Sequence, residues 1–305
     1  MEVAIMIEGQ DGLTWARWQR LAAAVEDLGF VGLYRSDHYT NARPPDKDSL
    51  ELWVSLTWLA SHTQRIEFGP LVTPVSFRHP TMTVRMATAV DELSGGRLTL
   101  GVGAGWQERE HTNYGWDLLD LPDRFDRFEE GLEIMTHLLK KDAPLDFTGT
   151  HFQLNEARLL PRPARPDGPP IAIGGNGLHR TLPLVARYAD EWNGLYLLPE
   201  QVSERNNRLD TLLAEQGREA NSVRRSWMGD VIFGRDESDL QIKLQGRDAS
   251  EMRQQSRLVG TASAVVDQLG ELAEAGVQRV MLQWLDQDDM DRLEALAQSV
   301  LPHVQ

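Results

Sequence analysis

The sequence predicts an α/β fold, a (β/α)8 TIM barrel in a single domain, on three observations. Short apolar runs of strand type alternate with longer segments of helical period, the pattern of repeated βα units around a parallel sheet. The junction Glu26-Asp27-Leu28-Gly29-Phe30-Val31-Gly32-Leu33-Tyr34 is a helix end, a glycine stop and an apolar strand. It is echoed by Glu274-Ala275-Gly276-Val277-Gln278-Arg279-Val280-Met281-Leu282 and, without the glycine, by Arg187-Tyr188-Ala189-Asp190-Glu191-Trp192-Asn193-Gly194-Leu195-Tyr196. Like junctions at both ends and in the middle favour one continuous barrel over two stitched domains. The length of 305 residues fits, since such barrels run to about 250 residues and grow by insertion.

Taken in order, the first strand is expected over residues 3–7. Thr14 then caps a helix whose buried stripe is Trp18, Leu21, Ala22, Val25 and Leu28, stopped by Gly29. Further strands are expected over 30–34, 66–75, 98–102, 170–174, 191–196, 227–233 and 277–284. A helix over 80–93 has Pro80 in its first turn and Gly95-Gly96 beyond its end, and another over 121–139 sets Phe125, Phe128, Leu132, Met135 and Leu139 on one face. Insertions are expected at about 106–121, at 140–169 as a hairpin followed by a proline-rich crossing, and at 235–260 as a mobile polar segment over the barrel mouth.

Composition excludes several functions. With 31 Lys+Arg against 46 Asp+Glu, a net charge of −15, the chain lacks the basic face that neutralises phosphates, so no nucleic-acid partner is expected. Without cysteine there is no disulfide, thiolate metal site or catalytic thiol. The eight histidines are scattered without ligand spacing, so no metal is expected. The start of the chain has no signal-peptide pattern and no apolar run approaches a membrane span, so no membrane partner and a cytoplasmic location are expected.

In such a barrel the active site lies where the strands end. Glu8-Gly9-Gln10 follows the first strand, Arg35-Ser36-Asp37-His38 the second, and Gly103-Ala104-Gly105-Trp106 with Glu110-His111 the fourth. Gly174-Gly175-Asn176-Gly177 stands between the fifth strand and its helix. Its backbone amides and the helix dipole suit a phosphate, with Asn176, Arg180 and Thr181 assisting, although a tight turn needs glycine for geometry alone. His38 beside Asp37 is the leading acid/base candidate, against the alternative of a hydrogen-bonded structural histidine. Glu110, His111 and His79 are weaker ones. Trp106 walls an aromatic ligand or packs as filler. No G-x-S-x-G, Walker A or G-x-G-x-x-G follows a strand.

Four segments carry a family resemblance. They are Leu28-Gly29-Phe30-Val31-Gly32-Leu33-Tyr34-Arg35-Ser36-Asp37-His38-Tyr39; Leu71-Val72-Thr73-Pro74 on to Phe77-Arg78-His79-Pro80; Leu93-Ser94-Gly95-Gly96-Arg97 on to Gly101-Val102-Gly103-Ala104-Gly105-Trp106; and Ile173-Gly174-Gly175 through Arg180-Thr181-Leu182 to Ala189-Asp190-Glu191-Trp192-Asn193. In this order they resemble the bacterial luciferase-like oxidoreductase superfamily, most closely its branch using the deazaflavin coenzyme F420. The likeness covers about residues 1–200 and resumes at Gly260-Thr261. It implies a TIM barrel with the tricyclic ring of F420, or alternatively of FMN, at the mouth, and a non-prolyl cis peptide near Pro70-Leu71 against the ring's back face.

Carried over, Asp37 and His38 border the ring, and Leu71, Thr73 and the backbone of Gly103, Ala104 and Gly105 contact it. Gly174, Gly175, Asn176, Arg180 and Thr181 hold the phosphate tail. Trp106, Glu110 and His111 form the substrate pocket, and His38, with Glu8 as a second candidate, handles the proton. Trp106 replaces a glutamate of the sugar-phosphate dehydrogenase branch, which counts against that substrate. The implied activity is F420-dependent hydride transfer to or from a small organic substrate. The alternatives are an FMN-dependent monooxygenase using reduced flavin and oxygen, a non-catalytic flavin-binding protein, and an isomerase or aldolase, the last disfavoured because no strand-end lysine is well placed. The expected partners are the small-molecule substrate and a second copy of the chain in a homodimer.

Overall fold

Strands buried on both faces need one set of apolar side chains for the surrounding helices and another for the lumen. In the computed structural model, which describes residues 1–304, β1 (Glu2–Ile7) supplies both by alternation. Val3, Ile5 and Ile7 join the main core, while Ala4 and Met6 pack in the lumen with Tyr34, Leu71, Met228 and Met281. α1 (Trp15–Asp27) follows, with Thr14 accepting from the Arg17 amide as expected, then β2 (Gly32–Arg35) and α2 (Leu52–His62). The third strand falls in two pieces, β3 (Glu67–Pro70) and β4 (Thr73–Pro74), on either side of a cis peptide at Leu71-Val72, one residue beyond the expected place.

Next come α3 (Pro80–Leu93), β5 (Leu100–Gly103), α4 (Glu108–Tyr114), α5 (Leu121–Lys140) and the hairpin β6 (Leu145–Thr148) with β7 (Gln153–Ala157). β8 (Ile171–Gly174), α6 (Thr181–Tyr188), β9 (Glu191–Leu195), α7 (Pro199–Glu215) and β10 (Arg224–Phe233) continue the alternation. After α8 (Glu237–Leu244), α9 (Ala249–Gln254) and β11 (Leu258–Gly260), the chain ends through α10 (Ala262–Glu274), β12 (Arg279–Gln283) and α11 (Met290–Val300).

The staves run in the order β3-β2-β1-β12-β10-β9-β8-β5-β4, all parallel. A bridge between Phe68 and Leu98 joins the first piece of the third strand to the lead-in of β5 and closes the ring. The repeated junctions behave alike: Gly29 and Gly276 both take the left-handed conformation, φ 91° and 96°, that a side chain would resist. Two expectations need correction. The seventh strand starts at Arg224 rather than 227, because its first residues already pair with β9. The 235–260 segment is folded: β11 pairs with the end of β10, and Leu240, Leu244, Met252 and Val259 form their own small core. Among the described residues no helix is long and apolar enough to cross a membrane.

Candidate active site at the barrel mouth

A cavity of about 520 Å³ opens at the strand ends, lined mostly by apolar groups with a few convergent polar ones. Its best-defined polar group is His38, just past β2. The His38 Nδ1 lies 3.0 Å from Glu110 Oε1, and Glu110, on α4, is 0 % exposed. The other carboxylate oxygen accepts the Tyr39 amide at 2.6 Å and the Thr40 amide at 3.3 Å. A carboxylate only accepts, so against Glu110 a neutral His38 carries its proton on Nδ1, which also lies 3.2 Å from Gln107 Nε2; its own Nε2 has no partner among the described residues, and His38 lines the cavity. Burial by itself would depress the His38 pKa. The hydrogen bond and charge of Glu110, with the charges of Glu8 and Asp37, outweigh it, and the pKa stands above its ordinary 6.5. Trp106, 60 % exposed, sets its indole edge-on to His38 at 5.5 Å between centroids.

A second polar arc runs along β1, β12, β10 and β9. Glu8 Oε2 accepts from Gln10 Nε2 at 2.8 Å and Oε1 from Gln283 Nε2 at 2.5 Å. The Tyr196 hydroxyl contacts both Gln283 Oε1 and, at 2.6 Å, Asp230 Oδ1; Arg257 donates to Asp230 Oδ2 at 2.8 Å. Burial, then Asp230, push the Tyr196 hydroxyl far above its ordinary pKa, so it keeps its proton at any working pH. His111 also lines the cavity. Its Nδ1 lies 2.7 Å from the Gln107 carbonyl and its Nε2 2.7 Å from Ser76 Oγ, and burial lowers its pKa, which makes it a neutral, packed group.

The back of the cavity is a platform. Val72 stands against the strand backbones: a Cβ at Gly103 would meet its Cγ2 at 2.7 Å, and one at Gly174 its Cγ1 at 3.3 Å. Glycine is needed there because the methyls of Val72 already fill the space. At the far end, Gly174, Gly175 and Thr181 line the cavity. α6 begins without a side-chain cap, and the amides of the 176–181 turn meet no acceptor among the described residues, so an oxyanion fits that turn.

The structure thus places His38, Glu8, Leu71, Gly103, Ala104, Gly105, Gly174, Gly175, Thr181, Trp106, Glu110 and His111 on one cavity. Four expected residues turn away from it. Asp37, 2 % exposed, pairs with Arg78 and accepts the Thr73 hydroxyl at 2.7 Å, since a buried carboxylate needs a counter-charge. That bond takes Thr73 with it. Asn176 ties its turn to β9 through the Leu195 amide and carbonyl, and Arg180 pairs with Asp126 while lying over the Phe125 ring. The 235–260 segment lines none of the cavity; its Arg257 pairs with Asp230, which stands behind the lining residue Tyr196. Tyr196, Asp230 and Gln283 are not among the residues expected from sequence: Tyr196 and Gln283 stand at or near the ends of expected strands, and Asp230 lies in the middle of one.

A ligand-sized barrel mouth carrying a carboxylate-backed imidazole and uncapped helix starts defines a class, the α/β barrels with a ligand site at their strand ends. The comparisons agree. Residues 2–250 match the luciferase-like monooxygenase family, and the chain belongs to it. It is 34 % identical to the 4-hydroxyprotoasukamycin monooxygenase of Streptomyces nodosus subsp. asukaensis over 166 residues, covering 54 % of this chain and 43 % of that one. It is 31 % identical over 173 residues to the F420-dependent hydroxymycolic acid dehydrogenase of Mycobacterium tuberculosis, covering 56 % and 46 %. The aligned regions thus span about half the length of these relatives. The fold matches that of the coenzyme F420-dependent tetrahydromethanopterin reductase of Methanopyrus kandleri with TM-score 0.82 over 100 % of both chains, at 20 % identity.

Proposed function

We propose that the chain is an F420-dependent oxidoreductase that moves a hydride between the deazaflavin and a small organic substrate. The observation that carries the reading is the His38–Glu110 pair on the mouth cavity. The F420-dependent dehydrogenase among the relatives supports the choice of cofactor. A bound deazaflavin would supply the carbon that takes up or releases hydride. The residues fit it: Val72 and the Gly103 to Gly105 backbone offer a flat back wall, and the turn before α6 offers amides to a phosphate.

The protein's own part is proton handling. When a substrate hydroxyl becomes a carbonyl, its proton goes to neutral His38 at Nε2, and the imidazolium so formed is held by the buried Glu110 carboxylate through Nδ1–H. In the reverse direction Nε2–H gives the proton to the substrate oxygen. The apolar walls exclude water from the reacting centre and strengthen this ion pair.

The test is a fluorescence titration of the purified chain with F420 and with FMN, followed by turnover on a substrate panel. Tight binding of F420 with turnover supports the reading, and binding of neither overturns it. Preference for FMN would favour the monooxygenase alternative, which the Streptomyces relative supports.

A further inference from the structure

The arc from Glu8 to Asp230 is one hydrogen atom short. Its four side chains come from neighbouring staves in the order β1, β12, β10 and β9, with contacts Glu8–Gln283, Gln283–Tyr196 and Tyr196–Asp230. Each contact needs one hydrogen between its two heavy atoms. Gln283 bears hydrogens only on its amide nitrogen, so it donates to one neighbour and accepts from the other, and Tyr196 has a single hydroxyl hydrogen. Two side chains therefore supply hydrogens for two of the three contacts.

The outer bonds offer no relief. Ser36 donates to Gln10 Oε1 at 2.7 Å, which fixes that amide with its nitrogen toward Glu8, and Arg257 occupies the second oxygen of Asp230. With both carboxylates ionised, two acceptors would face each other at hydrogen-bonding distance. The three contacts are direct, with no gap for a water between the paired atoms, and Asp230 and Gln283 are buried.

We propose that Glu8 and Asp230 share one proton, which changes place through the Tyr196 hydroxyl and a half-turn of the Gln283 amide, and that this row is a second proton carrier of the cavity. In one state Asp230 donates to Tyr196, Tyr196 to Gln283, and Gln283 to ionised Glu8. In the other, Glu8 donates to Gln283, Gln283 to Tyr196, and Tyr196 to ionised Asp230. Every contact is satisfied in both, and one proton has left Asp230 and one has arrived at Glu8, with no electron transferred. The charged groups acting on the ends are Arg257 on Asp230, and Arg35 and His38 with Glu8. Glu8 lines the cavity, so a proton entering from the Arg257 side reaches the reacting centre beside His38.

The catalytic role rests on the proposed oxidoreductase reading; the shared proton does not, and is tested without cofactor. Infrared difference spectra at neutral pH, wild type minus variant, report the C=O stretch of a protonated carboxyl. Glu8→Gln and Asp230→Asn each bring the missing hydrogen on a new amide, and Tyr196→Phe removes two of the contacts. All three are expected to abolish the band. No such band in the wild type, or its survival in any folded variant, overturns the proposal; survival in one amide variant alone would assign a fixed proton to the other carboxyl. If the titration shows a bound cofactor and turnover, Tyr196→Phe is expected to remove one ionisation from the kcat–pH profile. An unchanged profile would overturn the catalytic role while leaving the cofactor reading intact.

Discussion

The two ends of the barrel use charge in opposite ways. At the bottom Arg279, fully buried, spends its donors inside the chain: on Glu2 at 2.7 Å, on the Tyr34 hydroxyl at 2.8 Å and on Glu67 at 2.6 Å, with Glu191 at 3.6 Å. At the mouth, His38 Nε2 and the amides of the turn before α6 have no partner among the described residues, and His38, Gly175 and Thr181 line the cavity. A buried cation whose donors are all taken by neighbouring strands locks staves together, while groups left without a protein partner beside a cavity are what a ligand can use. The difference separates structural from functional charge in a chain rich in both.

Breaking the bottom should cost the most stability. Arg279→Met takes from buried Glu191 one of its two cations, Arg224 being the other, and strips the Tyr34 hydroxyl of its donor; it is expected to cost about 3–5 kcal/mol in denaturant melts, with cofactor affinity of the folded fraction unchanged. A loss confined to affinity would erase the contrast between the ends. At the mouth, His38→Ala should lower kcat by roughly 100-fold or more with little change in the melt; a wild-type rate would make His38 a packing residue.

Glu110→Gln sharpens the comparison through pH. His38 has a raised native pKa, so its pairing stabilises the fold fully below the ordinary 6.5 and ceases to do so as pH rises through the native value. The stability gap between wild type and Glu110→Gln should therefore be widest in acid and narrow toward alkaline pH, and the His38 titration followed by NMR should move down in the variant. A gap independent of pH would mean that Glu110 serves only the Tyr39 and Thr40 amides. The smallest effect is expected at the phosphate end: Thr181→Val should weaken binding of the intact cofactor by about 1 kcal/mol and leave binding of a ring fragment without phosphate unchanged.

How much of this was legible depends on sequence distance. Helix starts and stops such as Thr14, Gly29 and Pro80 act through neighbours a few residues away, and they were read correctly. His38 and Glu110 were each visible as strand-end or near-strand-end polar residues, but their pairing spans 72 positions and no local pattern encodes it. The setting of Asp37 is non-local in the same way: its partner Arg78 lies 41 residues on, and that ion pair decides which way the carboxylate turns. Tyr196 and Gln283 lie at or near expected strand ends and are legible there, whereas Asp230 lies in the middle of the expected 227–233 strand and only its contact with Tyr196 brings it into the row.

The sequence alone determined the alternation of strands and helices, hence the barrel and the end at which its chemistry stands, because periodicity and caps are local. Only the tertiary structure decided which polar groups meet. Closing the ring brings β1 beside β12, and that contact puts Glu8 and Gln283, 275 residues apart, within one hydrogen bond.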